Sequence, residues 1–216
     1  MGADFRRISM TASSVITSEH LAVAQSYEAY RQMIDGLLVE GKTTGDNHSE
    51  DMLHYTKLNV QRMHRLDKTI VLQKTLQDKL TAVASPWTWL VLTEAWCGDA
   101  AQIVPVMAKM ADASPYITLQ LLLRDEYPEV MDAYLTNGSR SIPKLICLTE
   151  DRQEIGTWGP RPDAAQQSIV QFEQNHPNED HRARIEDTQL WYSRDRTKAI
   201  QQEFIELLTG WNRDNR

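Results

Sequence analysis

Cys97 stands where an apolar run gives way to a helical pattern. The stretch from Trp87 to Ala101 reads Trp-Thr-Trp-Leu-Val-Leu-Thr-Glu-Ala-Trp-Cys-Gly-Asp-Ala-Ala, a buried strand that delivers a cysteine to a helix start. Free backbone N–H groups and the positive end of the helix dipole favour a thiolate there, and the thiolate is the nucleophile. A cysteine so placed can attack a disulfide, a sulfenic acid or another electrophilic sulfur. Asp99, in the first helical turn, stabilises the helix and competes with a thiolate for the same positive end.

The other cysteine is Cys147. A structural disulfide is the simplest alternative for a pair, but nothing suggests secretion and both residues are flanked by strand-like sequence, so they read as two reduced thiols in a cytoplasmic protein. His20, His48, His54 and His64 do not form the two-apart or four-apart pairs that metal sites use, so they read as surface or packing residues and no metal site is expected. Arg62, Arg65 and Lys68 form a basic stripe, read as a solvated face, with docking of an anionic ligand the minor alternative.

A chain of 216 residues with 41% hydrophobic and 25% charged residues belongs among ordinary globular proteins and can bury a sizeable core, as one domain with additions or as two small ones. The net charge of −7 argues against a nucleic-acid surface. No apolar run approaches the ~20 residues needed to span a bilayer. The first residues hold two arginines without an apolar segment after them, unlike a secretory signal, and residues 1–17 are expected to be a disordered start.

The elements that must position Cys97 follow from periodicity. Val23, Tyr27, Tyr30, Ile34, Leu37 and Leu38 mark one helical face after a Ser18 cap, with Gly41 placed to end it. Ser49 restarts a helix carried by Met52, Tyr55, Asn59, Met63, Leu66 and Ile70 and continuing to Leu80, with a break expected near Asp67 because about thirty residues is long for one globular helix. These form an N-terminal helical arm, 18–85. A strand over 88–93 precedes Cys97. The helix from Asp99 carries Ile103, Val106, Met107 and Met110, with a kink expected at Pro105. Strand 117–123, a short helix from Pro128, strands 145–148 and 153–158 and a helix over 163–174 follow. A polar turn then leads to a C-terminal helical extension, 176–216, through Leu190, Phe204, Leu208 and Trp211.

Trp96-Cys97-Gly98-Asp99-Ala100 resembles the Trp-Cys-Gly-Pro-Cys active site of the thioredoxin family, and Gly138-Ser139-Arg140-Ser141-Ile142-Pro143-Lys144-Leu145 resembles the stretch that carries its cis proline. The resemblance covers roughly 86–175. It implies an α/β fold, a four-stranded mixed sheet flanked by helices, with helical extensions at both ends. It also implies a cis Ile142–Pro143 bond, with Pro143 standing against Cys97, Ile142 pairing through its backbone with an extended substrate, and Trp96 forming an apolar lip. Cys97 becomes the candidate catalytic residue, and Trp96, Gly98, Asp99, Ile142 and Pro143 the candidate substrate-binding residues.

Three departures restrict the chemistry. Ala100 replaces the resolving cysteine, Asp99 replaces the proline, and Val91 occupies the place of a buried aspartate that the family uses to move protons. Dithiol exchange is therefore not expected. Cys147 does not fill the gap, because four strand residues separate it from Pro143, about 13 Å at ~3.3 Å each, against the ~7 Å a disulfide allows; it reads as a small core residue. Arg140 and Lys144, beside the proline, read as surface residues, with attraction of an anionic ligand or the thiolate the minor alternative.

Two functions fit. In one, a monothiol oxidoreductase attacks an oxidised sulfur through Cys97, and glutathione as co-substrate releases it, as in one-cysteine glutaredoxins. Its partner is then a thiol- or disulfide-bearing protein or a small-molecule thiol, with no bound cofactor. In the other, the fold is a binding module for a peptide or small ligand. Iron–sulfur binding is a remote third reading, since no second ligand is visible.

Overall fold

The computed structural model describes residues 15–214. Helices α1 (Ser18–Val23), α2 (Tyr27–Val39), α3 (Glu50–Thr69) and α4 (Lys74–Thr81) lead into strand β1 (Trp87–Thr93). After it come α5 (Gly98–Ala111), β2 (Ile117–Leu123), α6 (Pro128–Ala133), β3 (Lys144–Thr149), β4 (Glu154–Trp158), α7 (Asp163–Asn175), α8 (His181–Asp195) and α9 (Lys198–Asp214). The strands form one four-stranded sheet in the order β2-β1-β3-β4. β1 pairs parallel with β2 through the α5 crossover and antiparallel with β3, and β4 pairs antiparallel with β3. This mixed sheet, with helices around it and more at both ends, is the expected thioredoxin-like α/β fold.

β1 is central, which explains its unbroken apolar run: Trp89, Leu90, Val91 and Leu92 are all fully buried, as a strand covered on both faces requires. Alternate residues of a strand share a face. Trp87 and Trp89 therefore point together towards α9, where Trp89 meets Phe204 and Trp87 meets Trp211 edge-on. Trp158 of β4 packs on Phe204 from the neighbouring strand. A single hydrophobic core runs from Ile16 and Ile34 through the sheet to Phe204 and Trp211, so both helical arms belong to it.

Several local features depart from the sequence reading. Of the segment expected to be a disordered start, residues 1–14 lie outside the described residues, but Ile16 is buried and Thr17 caps α1 in place of Ser18, in a reciprocal capping box with His20. The first helix is also two helices. At Gln25 the backbone leaves the helix and exchanges two 2.8 Å hydrogen bonds with Leu121 on the outer edge of β2, after which Ser26 caps α2 through the Ala29 amide. A sheet edge with free backbone groups is a strong competitor for one residue of helix. α2 ends at Gly41 as its spacing predicts: φ is +69° there, the left-handed conformation glycine adopts most readily. The second break falls at residues 70–73, three residues beyond Asp67. There Gln201 of α9 accepts from the Gln73 amide and donates to the Val71 carbonyl, holding the interrupted backbone.

Candidate functional site

The Cys97 turn is built by the end of β1. The backbone N–H of Cys97 donates to the Glu94 carbonyl at 3.2 Å, and Cys97 becomes the N-cap of α5, its Sγ accepting from the Ala100 amide at 3.4 Å. The thiol in turn donates to the Ile142 carbonyl at 3.3 Å. The Ile142–Pro143 peptide bond is cis, and both residues are buried. The loop from β4 to α7 crosses them closely: a Cβ on Gly159, whose φ is +113°, would lie 2.3 Å from the Pro143 carbonyl oxygen.

That loop brings Arg161 to the site. Its Nη2 and Nε donate to Asp99 Oδ2 at 2.5 and 3.2 Å, and Tyr192 of α8 donates its hydroxyl to Asp99 Oδ1 at 2.6 Å. Asp99 thus does not stand free at the helix start, because both oxygens are held. Its charge still acts on the sulfur. Burial pushes the Cys97 thiol up to about 12 and Asp99 adds to the rise, while the Ala100 and Asp99 amides and the Arg161 guanidinium pull it back. Cys97 rests as a neutral thiol, whose hydrogen the Ile142 carbonyl receives.

α8 roofs this turn. Gln189 accepts from Gln102 of α5 at 2.8 Å, and its Nε2 sits so close over Gly98 that a Cβ there would lie 2.9 Å away. Between α3, α7, α8 and the turn lies a cleft of about 410 Å³, lined by Trp96, Cys97, Gly98 and Asp99 together with Arg62, Arg161 and Gln189. It adjoins a second hollow of about 580 Å³ between α3 and α8, and Tyr55, Arg62, His181 and Ile185 border both.

Of the six residues expected from the sequence, Trp96, Cys97, Gly98 and Asp99 line one cleft. Ile142 and Pro143 lie beneath the surface, with the Ile142 carbonyl facing the thiol rather than a groove. The Trp96 ring is not a bare apolar lip, since the Arg124 guanidinium stacks on it with its central carbon 4.8 Å from the ring centre. Lys144, expected at the surface, is 9% exposed: it opens β3 opposite Leu92, and its Nζ donates to Thr136 Oγ1 at 3.3 Å. Arg140 does stay outside, bidentate on Asp132. Arg65 and Lys68 are solvated as the stripe predicts, but Arg62 is half-buried in the cleft.

Sequence reasoning missed Arg161, Tyr192 and Gln189, which reach the site from a distant loop and helix. It also missed Glu94, three residues before Cys97. The Glu94 side chain is wholly buried; Oε1 accepts from the Asp125 amide at 2.9 Å, and Oε2 has no partner among the described residues. Burial pushes this carboxyl up to about 7.

Two solved structures share the architecture. One is an HIV epitope-scaffold, 14% identical, with a TM-score of 0.58 over 89% of this chain and 96% of its own. The other is a protein of unknown function from Pseudomonas aeruginosa, 15% identical, with a TM-score of 0.56 over 86% of this chain and 98% of its own. At such identities the likeness concerns the fold alone. The comparison with curated proteins returns no match. The family model described as thioredoxin matches residues 45–181, from the loop before α3 through the Cys97 turn, the cis proline and the Arg161 loop to the first residue of α8. With more than half its length in that match and the sheet order to go with it, the chain belongs to the thioredoxin family.

Proposed function

We propose that this protein is a thioredoxin-like binding protein whose cleft beside Cys97 receives a small ligand or the end of a peptide. The observation that carries the reading is the state of Cys97: its thiol is enclosed and gives its hydrogen to the carbonyl of Ile142, the backbone that the family resemblance assigns to substrate. A nucleophile primed for exchange needs the thiolate, and burial together with Asp99 opposes it here. The absence of a resolving cysteine at Ala100 and the roof made by α8 agree with binding rather than exchange with a large folded partner. Both cysteines are free thiols, which fits work in a reducing compartment, and no described helix is long and apolar enough to cross a membrane.

One observation favours monothiol redox chemistry as a second reading. Cys97 caps α5 and accepts from the Ala100 amide, an arrangement that supports a thiolate once the proton is gone. In that case the thiolate attacks one sulfur of a disulfide, the S–S bond breaks, the other sulfur leaves as a thiolate, and an external thiol such as glutathione later releases Cys97 by a second exchange.

The pH dependence of Cys97 alkylation, measured in a Cys147→Ser background, separates the two. Binding predicts slow alkylation that rises only well above the ~8.5 of a free thiol. An apparent pKa below that value, with a glutathione adduct that reduced glutathione removes, would overturn it.

A further inference from the structure

The cations around the cleft are not equivalent. Arg161 is held by Asp99, and Arg184 by Glu173 and His181. Arg62 makes no ion pair among the described residues; its one hydrogen bond goes from Nη1 to the neutral Asn59 Oδ1 at 2.7 Å. Asn59 is itself fully buried and anchored by donating to the Ala95 carbonyl at 2.8 Å. The guanidinium is therefore held in place at the cleft wall by a partner that leaves its charge uncompensated. Burial and the neighbouring Arg65 both push its pKa down, as they must for a half-desolvated cation lacking a counter-charge.

The remaining donors converge on the same place. Arg62 Nη1 lies 3.8 Å, and Gln189 Nε2 2.9 Å, from the position a Cβ on Gly98 would take. Gln189 spends its oxygen on Gln102, which leaves its amide N–H groups over the first turn of α5. A guanidinium carries five N–H donors in a planar fork that matches an oxyanion. The nearby carboxylates, Asp99 and Glu173, are already engaged, so the cleft holds one positive charge in excess where these donors meet.

We infer that Arg62, with Gln189, forms an oxyanion-binding subsite of the cleft, and that the ligand presents a carboxylate or a phosphate group to it. The inference rests on the binding reading above, and names the ligand chemistry for the same cleft.

The test is a titration of the full ¹⁵N-labelled chain with sodium acetate and, separately, with inorganic phosphate, at constant ionic strength set by chloride. Wild type is expected to show saturable shifts at the Gly98 and Asp99 amides and at the Arg62 side-chain N–H. The stronger of the two probes identifies the carboxylate or phosphate source. Arg62→Gln is expected to weaken binding at least tenfold, and Arg65→Gln, an exposed residue on the same helix, to leave it unchanged. No saturable shift in wild type, or equal binding by Arg62→Gln, overturns the subsite. Should Arg62→Gln not fold, the wild-type Arg62 side-chain resonance decides alone, because a subsite without Arg62 leaves it unmoved. Cys97 alkylation in the same samples separates the two claims: fast alkylation at neutral pH sinks the binding reading, while slow alkylation without anion response sinks only the subsite.

Discussion

Arg161 and Asp99, 62 residues apart in the chain, meet through two hydrogen bonds to one carboxylate oxygen at the first turn of α5. This contact fixes the β4–α7 loop over the cis proline, and it sets the charge beside Cys97. The sulfur feels both partners, in opposite directions.

Asp99→Asn removes the negative member while leaving the guanidinium nearby. The thiolate then loses a repulsive neighbour, so the Cys97 pKa falls and alkylation at pH 8 is expected to quicken several-fold. Stability should drop by about 2–4 kcal/mol, because one member of a mostly buried pair is left without its partner. Rates of alkylation and urea unfolding check the two effects separately. An unchanged alkylation rate would sink the electrostatic account of the sulfur.

Glu94 makes stability depend on pH. Its folded pKa, about 7 against an ordinary 4.5, means that the native state keeps a proton the unfolded state has released. Its contribution is therefore fully present below about pH 4.5 and is lost as pH rises through about 7. Glu94→Gln, neutral at every pH, should be more stable than wild type at pH 8 by up to about 3 kcal/mol and nearly equal to it at pH 4.5. Urea midpoints of both proteins at the two pH values provide the comparison.

Gly159→Ala should be among the most damaging single changes. Its φ of +113° is strained for any side chain, and the new Cβ would press on the Pro143 carbonyl, a backbone atom that has no rotamer to escape into. A loss of about 3 kcal/mol or more is expected from conformation and overlap together. Equal denaturation midpoints for wild type and variant would contradict this.

Phe204→Ala tests whether the C-terminal helix is part of the core. Phe204 is fully buried between Trp89 and Trp158, so the cavity should cost about 3–5 kcal/mol. The unfolding transition should remain a single one, moved to lower denaturant. A separate early transition would mean that α9 is a detachable addition.

The junction at Cys97 was legible because two periods meet there: a fully apolar strand run stops, a helical pattern starts, and Trp96-Cys97-Gly98 lies on the boundary. The succession of strands and helices followed from the same kind of signal, and the mixed four-stranded sheet from the resemblance carried by the Cys97 and Pro143 motifs. What was not legible depends on tertiary partners. Val23 and Tyr27 stay in helical phase across the Gln25 interruption, so only the edge of β2 reveals it. Arg62, Arg65 and Lys68 look alike at three-residue spacing, and the presence of α8 decides that the first alone is enclosed. Arg161 and Gln189 carry no local pattern that would tie them to a cysteine so far back in the chain.

The family match stops at His181, yet further along α8 Thr188 and Gln189 wall the cleft over the Cys97 turn and Tyr192 holds Asp99. Scaffold and cleft roof are thus written on different pieces of the polypeptide. The matched piece brings a sulfur, a loop and an arginine into register, while the last half of α8 supplies the wall that gives the cleft its width and polarity. Exchanging side chains on that stretch reshapes the cleft and leaves the central strands untouched.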